Sequence, residues 1–149
     1  MSKELEKNYN PSEIEDRLYQ KWLDKKYFHA EVNRDKKPFT IVMPPPNITG
    51  KLHMGHALDN TMQDIIIRFK RMQGYDVRFQ TGTDEHGQKI QEKAEKAGIT
   101  PKEYVDNVAG EVKRIWDLMN TSYDNFVRTT DEDHEKQVKK IFKKLYDKG

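Results

Sequence analysis

The sequence predicts an α/β domain in which a small parallel sheet is flanked by helices in three layers. The first observation is a short apolar run, Phe39–Met43, which is rich in β-branched residues and has the length of a buried strand. The second is a long helical pattern after it, followed by a short strand at Val77–Gln80. A strand, a helix and a strand in this order form a parallel pair with a right-handed crossover. A third short strand is predicted at Asn125–Val127.

Composition limits the class of protein. The 149 residues are enough for one domain, with 34% hydrophobic and 35% charged residues. The 27 basic and 25 acidic residues give a net charge of +2, without the broad basic footprint of a nucleic-acid-binding domain. No cysteine and no membrane-length apolar segment are present. We therefore expect a cytoplasmic, monomeric protein without membrane contact or a metal site of its own.

The chain is organised around Pro38–His56, which reads PFTIVMPPPNITGKLHMGH. Its three consecutive prolines end the first strand, because proline has no N–H to donate to a neighbouring strand. Asn47–Gly50 supplies turn residues, and a helical pattern begins at His53. The stretch therefore predicts a strand, a turn and a helix N-terminus.

The start of this helix is a candidate phosphate site, since the first N–H groups of a helix lack intrahelical partners and carry positive potential. His53 and His56 are three residues apart, so they project from one face of the first turn and can donate to phosphate oxygens. Gly55 lies between them and would let a nucleobase approach the backbone. The alternative is a surface helix with two solvated histidines.

Four further helices are predicted, and the last is expected to bury one apolar face. The predicted caps and stops are, in chain order, Asn10 with Pro11 and Glu13 as a capping box, Gly74, Gly98, Thr100 and Thr130. The apolar stripe of the second helix is Leu58, Met62, Ile65, Ile66, Phe69 and Met72. That of the last helix is Val138, Ile141, Phe142 and Leu145. The lysines of that last helix are expected to form a solvated face.

A second polar loop, TGTDEHG, follows the second strand and contains Asp84. Ligands of open parallel sheets bind at the carboxyl ends of the strands, so this loop and the turn before His53 are expected to meet at one edge. A carboxylate in such a cleft can pair with a substrate ammonium group. The alternative is that Asp84 caps the next helix.

These motifs carry a resemblance. The sequence PPPNITGKLHMGH resembles the His-x-Gly-His signature of the class I aminoacyl-tRNA synthetases. Pro44–Val77 is most similar to valyl enzymes, whereas the chain from Gly82 onward is more similar to methionyl enzymes. The mixture suggests an engineered or reconstructed ancestral fragment. The resemblance implies a Rossmann-like fold of the HUP type, with residues 1–37 as an N-terminal helix and connection. Residues 38–149 would then be a nucleotide-binding fragment, the first half of a catalytic domain.

The resemblance also implies a reaction and its site residues. The reaction is attack of an amino-acid carboxylate on the α-phosphate of ATP, with Mg²⁺ accompanying ATP and a substrate of the Val, Ile or Met type. His53 and His56 would be the catalytic residues. The ATP-binding residues would be Asn47, Thr49, His53, Gly55 and His56. The amino-acid-binding residues would be Pro44, Pro45, Asp84 and His86, with Asp84 holding the α-amino group.

The sequence departs from a full synthetase in three ways. It contains no Lys-Met-Ser-Lys-Ser loop, no editing insertion and no anticodon-binding domain. We therefore expect reduced activity and weak, non-selective binding of tRNA. Two alternatives remain open: an ATP-binding module without useful turnover, and another nucleotidyltransferase of the same superfamily.

Overall fold

Three parallel strands and five helices are formed along residues 7–149, the part of the chain that this computed structural model describes. The elements are α1 (Pro11–Asp24), β1 (Pro38–Val42), α2 (Met54–Met72), β2 (Asp76–Thr83), α3 (Gln88–Ala97), α4 (Pro101–Leu118), β3 (Asn125–Arg128) and α5 (Glu132–Tyr146). The predicted Rossmann-like α/β class and its three strands are confirmed. The first six residues of the predicted segment 1–37 lie outside the described residues.

β2 is the central strand, and its two halves pair with different neighbours. The first half pairs with β1 in parallel, from Pro38 opposite Asp76 to Val42 opposite Gln80. The second half pairs with β3 in parallel, with Thr83 opposite Arg128 at its end. β2 therefore runs past the end of β1 toward the carboxyl edge of the sheet.

The core lies on one face of this sheet. Buried side chains of β2, α2 and α4 meet there, in a cluster of Met43, Ile67, Val77, Phe79, Val112 and Trp116. With strand order β1-β2-β3, both right-handed crossovers run in the same direction and place their helices on the same face. Thr40, Val42 and Arg78 on the opposite face are exposed. The described residues thus form two of the three predicted layers, and the expectation that β1 is fully buried is wrong.

The prediction that α5 buries its apolar face is wrong, because its four stripe residues are 50–69% exposed, and the apolar stripe of α2 is exposed as well. On α2, Asn60 and Ile67 are fully buried, while the side chains of the predicted stripe are 46–87% exposed. α2 turns its polar face inward because Asn60 donates to the Thr121 hydroxyl and Arg71 donates to the Ser122 hydroxyl. Each stripe of α5 and α2 is formed as predicted, but neither contacts the core.

Two predicted caps take other partners. Asn10 precedes α1, but the Glu13 carboxylate accepts from its side-chain amide at 2.7 Å instead of reaching the backbone. Asp131 is the cap of α5, and the Thr130 hydroxyl donates to Glu85 instead. The Thr100 cap of α4 is confirmed, since its hydroxyl accepts from the Glu103 N–H at 3.2 Å.

A buried ion pair joins α2 to the sheet. Arg71 donates to the Asp124 carboxylate at 2.9 Å, and both side chains are largely buried. The same carboxylate accepts from the Phe79 N–H and from the Ala30 N–H, each at 2.7 Å. Asp124 therefore completes the hydrogen bonding of β2 before β3 begins, and it ties the N-terminal connection to the sheet.

Gly82 allows β3 to approach β2 closely. A Cβ atom built on Gly82 would lie 1.8 Å from the Val127 carbonyl oxygen, so no side chain fits there. We expect Gly82→Ala to lower the free energy of unfolding by about 3 kcal/mol, the upper end of the range for overpacking. Urea denaturation measures this change.

Gly110 is the matched control, because it lies inside α4 with open space around its Cβ position. Gly110→Ala is expected to raise the free energy of unfolding by roughly 0.5–1 kcal/mol, since alanine favours the helix. Similar effects of the two substitutions would contradict the close approach of β3.

Candidate active site

The two polar loops meet at the carboxyl edge of the sheet, as the sequence predicts. Asn47 and Asp84 form an isolated parallel bridge beyond the ends of β1 and β2. The Asp84 N–H donates to the Pro46 carbonyl at 3.1 Å, and the Ile48 N–H donates to the Asp84 carbonyl at 3.4 Å. The sequence-predicted phosphate turn and the Asp84 loop are therefore joined through their backbones.

A small apolar cluster holds the first loop in place. Ile48 is only 1% exposed and packs against Ile90 of α3 and Val105 of α4. The Lys93 ammonium also donates to the Thr49 carbonyl. With Ile48 fixed inward, its neighbours Asn47 and Thr49 remain at the surface.

These two residues share one depression with the second loop. It has a volume of about 450 Å³ and is lined by Asn47, Thr49, Asp84, His86, Gly87, Gln88, Lys89, Ile90 and Glu92. Four of the predicted site residues are thus brought together. The remaining ones, Pro44, Pro45, His53, Gly55 and His56, do not line it.

His53 and His56 are joined by a reciprocal capping box at the N-terminus of α2. The His53 Nδ1 accepts from the Gly55 N–H, and the His56 Nδ1 accepts from the His53 N–H, both at 3.1 Å. An accepting Nδ1 carries no proton, so each neutral ring carries its proton on Nε2. The ring centroids are 4.0 Å apart. The site therefore offers two adjacent imidazole N–H donors, whereas the backbone N–H groups of His53, Gly55 and His56 already have partners within this turn.

The space around position 55 explains why it is occupied by glycine. A Cβ atom at this position would lie 2.9 Å from Cε1 of the His53 ring. A side chain here would therefore disturb the ring that caps α2.

Asp84 is half-buried and is not a helix cap, because Gly87 occupies the N-cap position of α3. Among residues 7–149, no donor to its carboxylate is found within hydrogen-bond distance. The capping alternative is therefore excluded. Pro44 and Pro45 are exposed at the start of the turn, and His86 contacts the Thr129 carbonyl at 3.1 Å.

Sequence reasoning missed Glu85. Its side chain is completely buried, accepts from the Thr83 hydroxyl at 2.6 Å and forms an ion pair with Arg128 at 2.7 Å. Hydrogen bonding to Glu85 raises the pKa of the Arg128 guanidinium above its usual value. The available signal was the alternation of β2, because inward positions 79, 81 and 83 continue to position 85.

Neither a metal-binding cluster nor a membrane-spanning helix is present in the described part of the chain. Residues 7–149 contain no cluster of three or more His, Asp or Glu side chains that could hold a metal ion. In the same residues, no helix has the length and apolar character needed to cross a membrane.

Comparison with known proteins defines the class. Residues 39–149 match the family described as tRNA synthetases class I (M), so the chain belongs to the class I tRNA synthetases. It is 52% identical over 118 residues to methionine–tRNA ligase 1 of Bacillus cereus, covering 79% of this chain and 18% of the relative. It is 43% identical over 167 aligned positions to valine–tRNA ligase of Streptococcus agalactiae, covering all of this chain and 19% of the relative.

A solved structure agrees with the fold. The ternary complex of LeuRS with tRNA and LeuAMS from Agrobacterium radiobacter K84 superposes with a TM-score of 0.85 at 26% identity. The likeness covers 95% of this chain and 19% of that one. The chain thus spans about a fifth of the length of the proteins that it matches, and both the methionyl and the valyl resemblance of its sequence are confirmed.

Proposed function

We propose that the chain binds ATP and a small apolar amino acid and joins them as an aminoacyl-adenylate. In this reaction the amino-acid carboxylate attacks the α-phosphate of ATP and pyrophosphate leaves. The observation that carries the proposal is the bridge between Asn47 and Asp84, which puts the turn leading into α2 and the Asp84 loop side by side. Such a reaction asks the protein mainly for positioning and for stabilisation of phosphate charge.

The phosphate side of the site is supplied by the N-terminus of α2. His53 and His56 would each donate a hydrogen bond from Nε2–H to a phosphate oxygen. The helix dipole adds positive potential at the same place. The hydroxyl of Thr49 and the amide of Asn47 are further donors on the adjoining turn. Mg²⁺ bound to the triphosphate would neutralise part of its charge.

The amino-acid side is supplied by Asp84. Its half-buried carboxylate, without a protein donor among the described residues, suits a charge-assisted hydrogen bond to the α-ammonium group. His86 lines the same depression, and Pro44 and Pro45 would border the amino acid from the turn.

tRNA would be held weakly. The concentrated basic run of the described residues is on α5, where Lys139 and Lys143 already pair with Glu135 and Asp147. Phosphate contacts dominate nucleic-acid affinity and weaken steeply with salt. We therefore expect tRNA binding to be salt-sensitive and poor at separating one tRNA from another.

Pyrophosphate exchange that depends on an added amino acid tests the proposal. The variant His53→Ala with His56→Ala is expected to lower the exchange rate at least tenfold, since each removed donor stabilises phosphate charge. His29→Ala is the matched control, because His29 lies on the exposed N-terminal connection beside Glu31. Binding of ATP without any exchange in the unmodified protein would reject amino-acid activation.

A second variant separates phosphate binding from helix capping. His53→Asn with His56→Gln keeps residue types that favour the N-cap and N3 positions but removes both imidazole rings. We expect this variant to lose exchange as the alanine variant does, while its thermal midpoint stays closer to that of the unmodified protein. Full activity of the Asn and Gln variant would assign the histidines a capping role only.

Selectivity among amino acids is expected to be low. Even a small apolar pocket separates two side chains that differ by one methylene by only about 1–3 kcal/mol. The depression beside Asp84 is lined largely by polar side chains, so it offers a substrate less apolar contact than such a pocket. Exchange measured with all twenty amino acids should favour Val, Ile and Met without a sharp choice among them. A preference for one of the three of more than about a thousandfold would contradict this expectation.

A further inference from the structure

The buried carboxylate of Glu85 has a full set of donors from neighbouring segments. Arg128, at the end of β3, donates to both of its oxygens, at 2.7 and 2.9 Å. The hydroxyl of Thr83 donates at 2.6 Å, and the hydroxyl of Thr130 donates to the second oxygen. The Glu85 side chain is 0% exposed, so none of these bonds is shared with solvent.

Such an arrangement is poorly explained by stability alone. Burying a carboxylate is unfavourable, and replacing a buried ion pair by apolar residues is often neutral or stabilising. What a fully satisfied buried pair does supply is a fixed geometry, because each donor restricts where the carboxylate can lie. A fixed Glu85 in turn fixes the position of the segment that carries it.

Glu85 belongs to the loop between β2 and α3. Glu85 stands between Asp84 and His86, two of the residues that line the depression. The Glu85 N–H donates to the Thr129 hydroxyl at 2.8 Å, and the His86 ring contacts the Thr129 carbonyl. The loop is thus held through both its backbone and its buried side chain.

Arg128 extends the anchor to a third element. Its guanidinium also pairs with the Asp106 carboxylate of α4 at 2.6 Å, and Asp106 in turn pairs with Lys102 at 2.7 Å. Arg128 is 21% exposed, so it lies between the buried Glu85 and the solvent-accessible Asp106. The position of the Asp84 loop is therefore set relative to β3 and α4 together.

We propose that Glu85 and Arg128 are positioning residues of the amino-acid half of the site. They touch no substrate, and they act by holding the Asp84 carboxylate at the place where it meets the α-ammonium group. The inference rests on the proposed function for the identity of that ligand, while the anchoring of the loop stands on its own contacts. The two histidines at the N-terminus of α2 are held by their own capping bonds, which do not involve this pair.

The test compares two substitutions with two controls of the same chemistry. Glu85→Gln keeps the size of the side chain but removes its charge, and Arg128→Lys keeps the charge but removes the two-bond contact. The controls are Glu111→Gln and Arg114→Lys, which alter an ion pair on the surface of α4 whose side chains are 66% and 63% exposed. Exchange kinetics are measured for amino acid and ATP separately, with the thermal midpoint of each variant.

We expect the KM for the amino acid to rise by about tenfold to a hundredfold in Glu85→Gln, the effect of a small misplacement of a binding group. The KM for ATP should change by less than about twofold, and the controls should change neither. Arg128→Lys should show the same split with a smaller rise. An equal rise of both KM values, or a fall in kcat with unchanged KM values, would overturn the positioning role.

Hydrogen exchange gives a readout that does not need turnover. The amides of residues 84–86 should exchange at least about tenfold faster in Glu85→Gln, while those of α2 stay protected and the controls match the unmodified protein. If the unmodified protein shows no pyrophosphate exchange, the proposed function fails and this measurement decides the anchoring alone. Unchanged protection of the loop in Glu85→Gln would overturn the inference in either case.

Discussion

The staggered pairing of β2 is the constraint on which the rest of the structure depends. Because β1 ends at Val42, opposite Gln80, the last residues of β2 extend beyond it toward the carboxyl edge. The overhang lets Asp84 pair with Asn47 in the following turn, and it lets β3 continue the sheet on the other side. The two loops of the candidate site are therefore adjacent because one strand is longer than its neighbour.

A buried acidic side chain with an arginine partner lies at each end of the pairing between β2 and β3. Before β3 begins, the Asp124 carboxylate accepts the Phe79 N–H, and Arg71 of α2 neutralises its charge. Burial lowers the pKa of the Arg71 guanidinium, and Asp124 opposes that effect. After β2 ends, Glu85 and Arg128 play a similar part at the opposite end. Two buried ion pairs thus mark the limits of the β2–β3 contact.

The secondary structure and the meeting of the two polar loops could be predicted from the sequence. The secondary structure depends on residues that are close together in the chain. The triple proline, the glycine stops and the β-branched runs act within a few residues, so they predicted the three strands and most helix boundaries. The predicted end of the second strand at Gln80 was wrong, because β2 continues to Thr83, where it pairs with β3. The meeting of the two polar loops followed from a general property of parallel sheets. The resemblance of the histidine turn and of the Asp84 loop then indicated the family, and residues 39–149 confirmed it.

The predictions that failed depend on contacts between residues that are far apart in the sequence. Helical spacing shows that α2 has an apolar face, but the buried contacts of Asn60 and Arg71 decided that the other face turns inward. The apolar stripe of α2 is therefore exposed. Glu85 was missed because its partner Arg128 is 43 residues away in sequence.

The most direct measurement is a crystal structure of the chain with a non-hydrolysable analogue of methionyl-adenylate in which a sulfamoyl group replaces the phosphate. We expect the sulfamoyl oxygens to lie within hydrogen-bond distance of Nε2 of His53 and His56, and the ammonium group of the analogue to contact the Asp84 carboxylate. An analogue seated instead in the cleft of about 690 Å³ between residues 50–52 and α4, with Asp84 left without a ligand, would contradict this expectation.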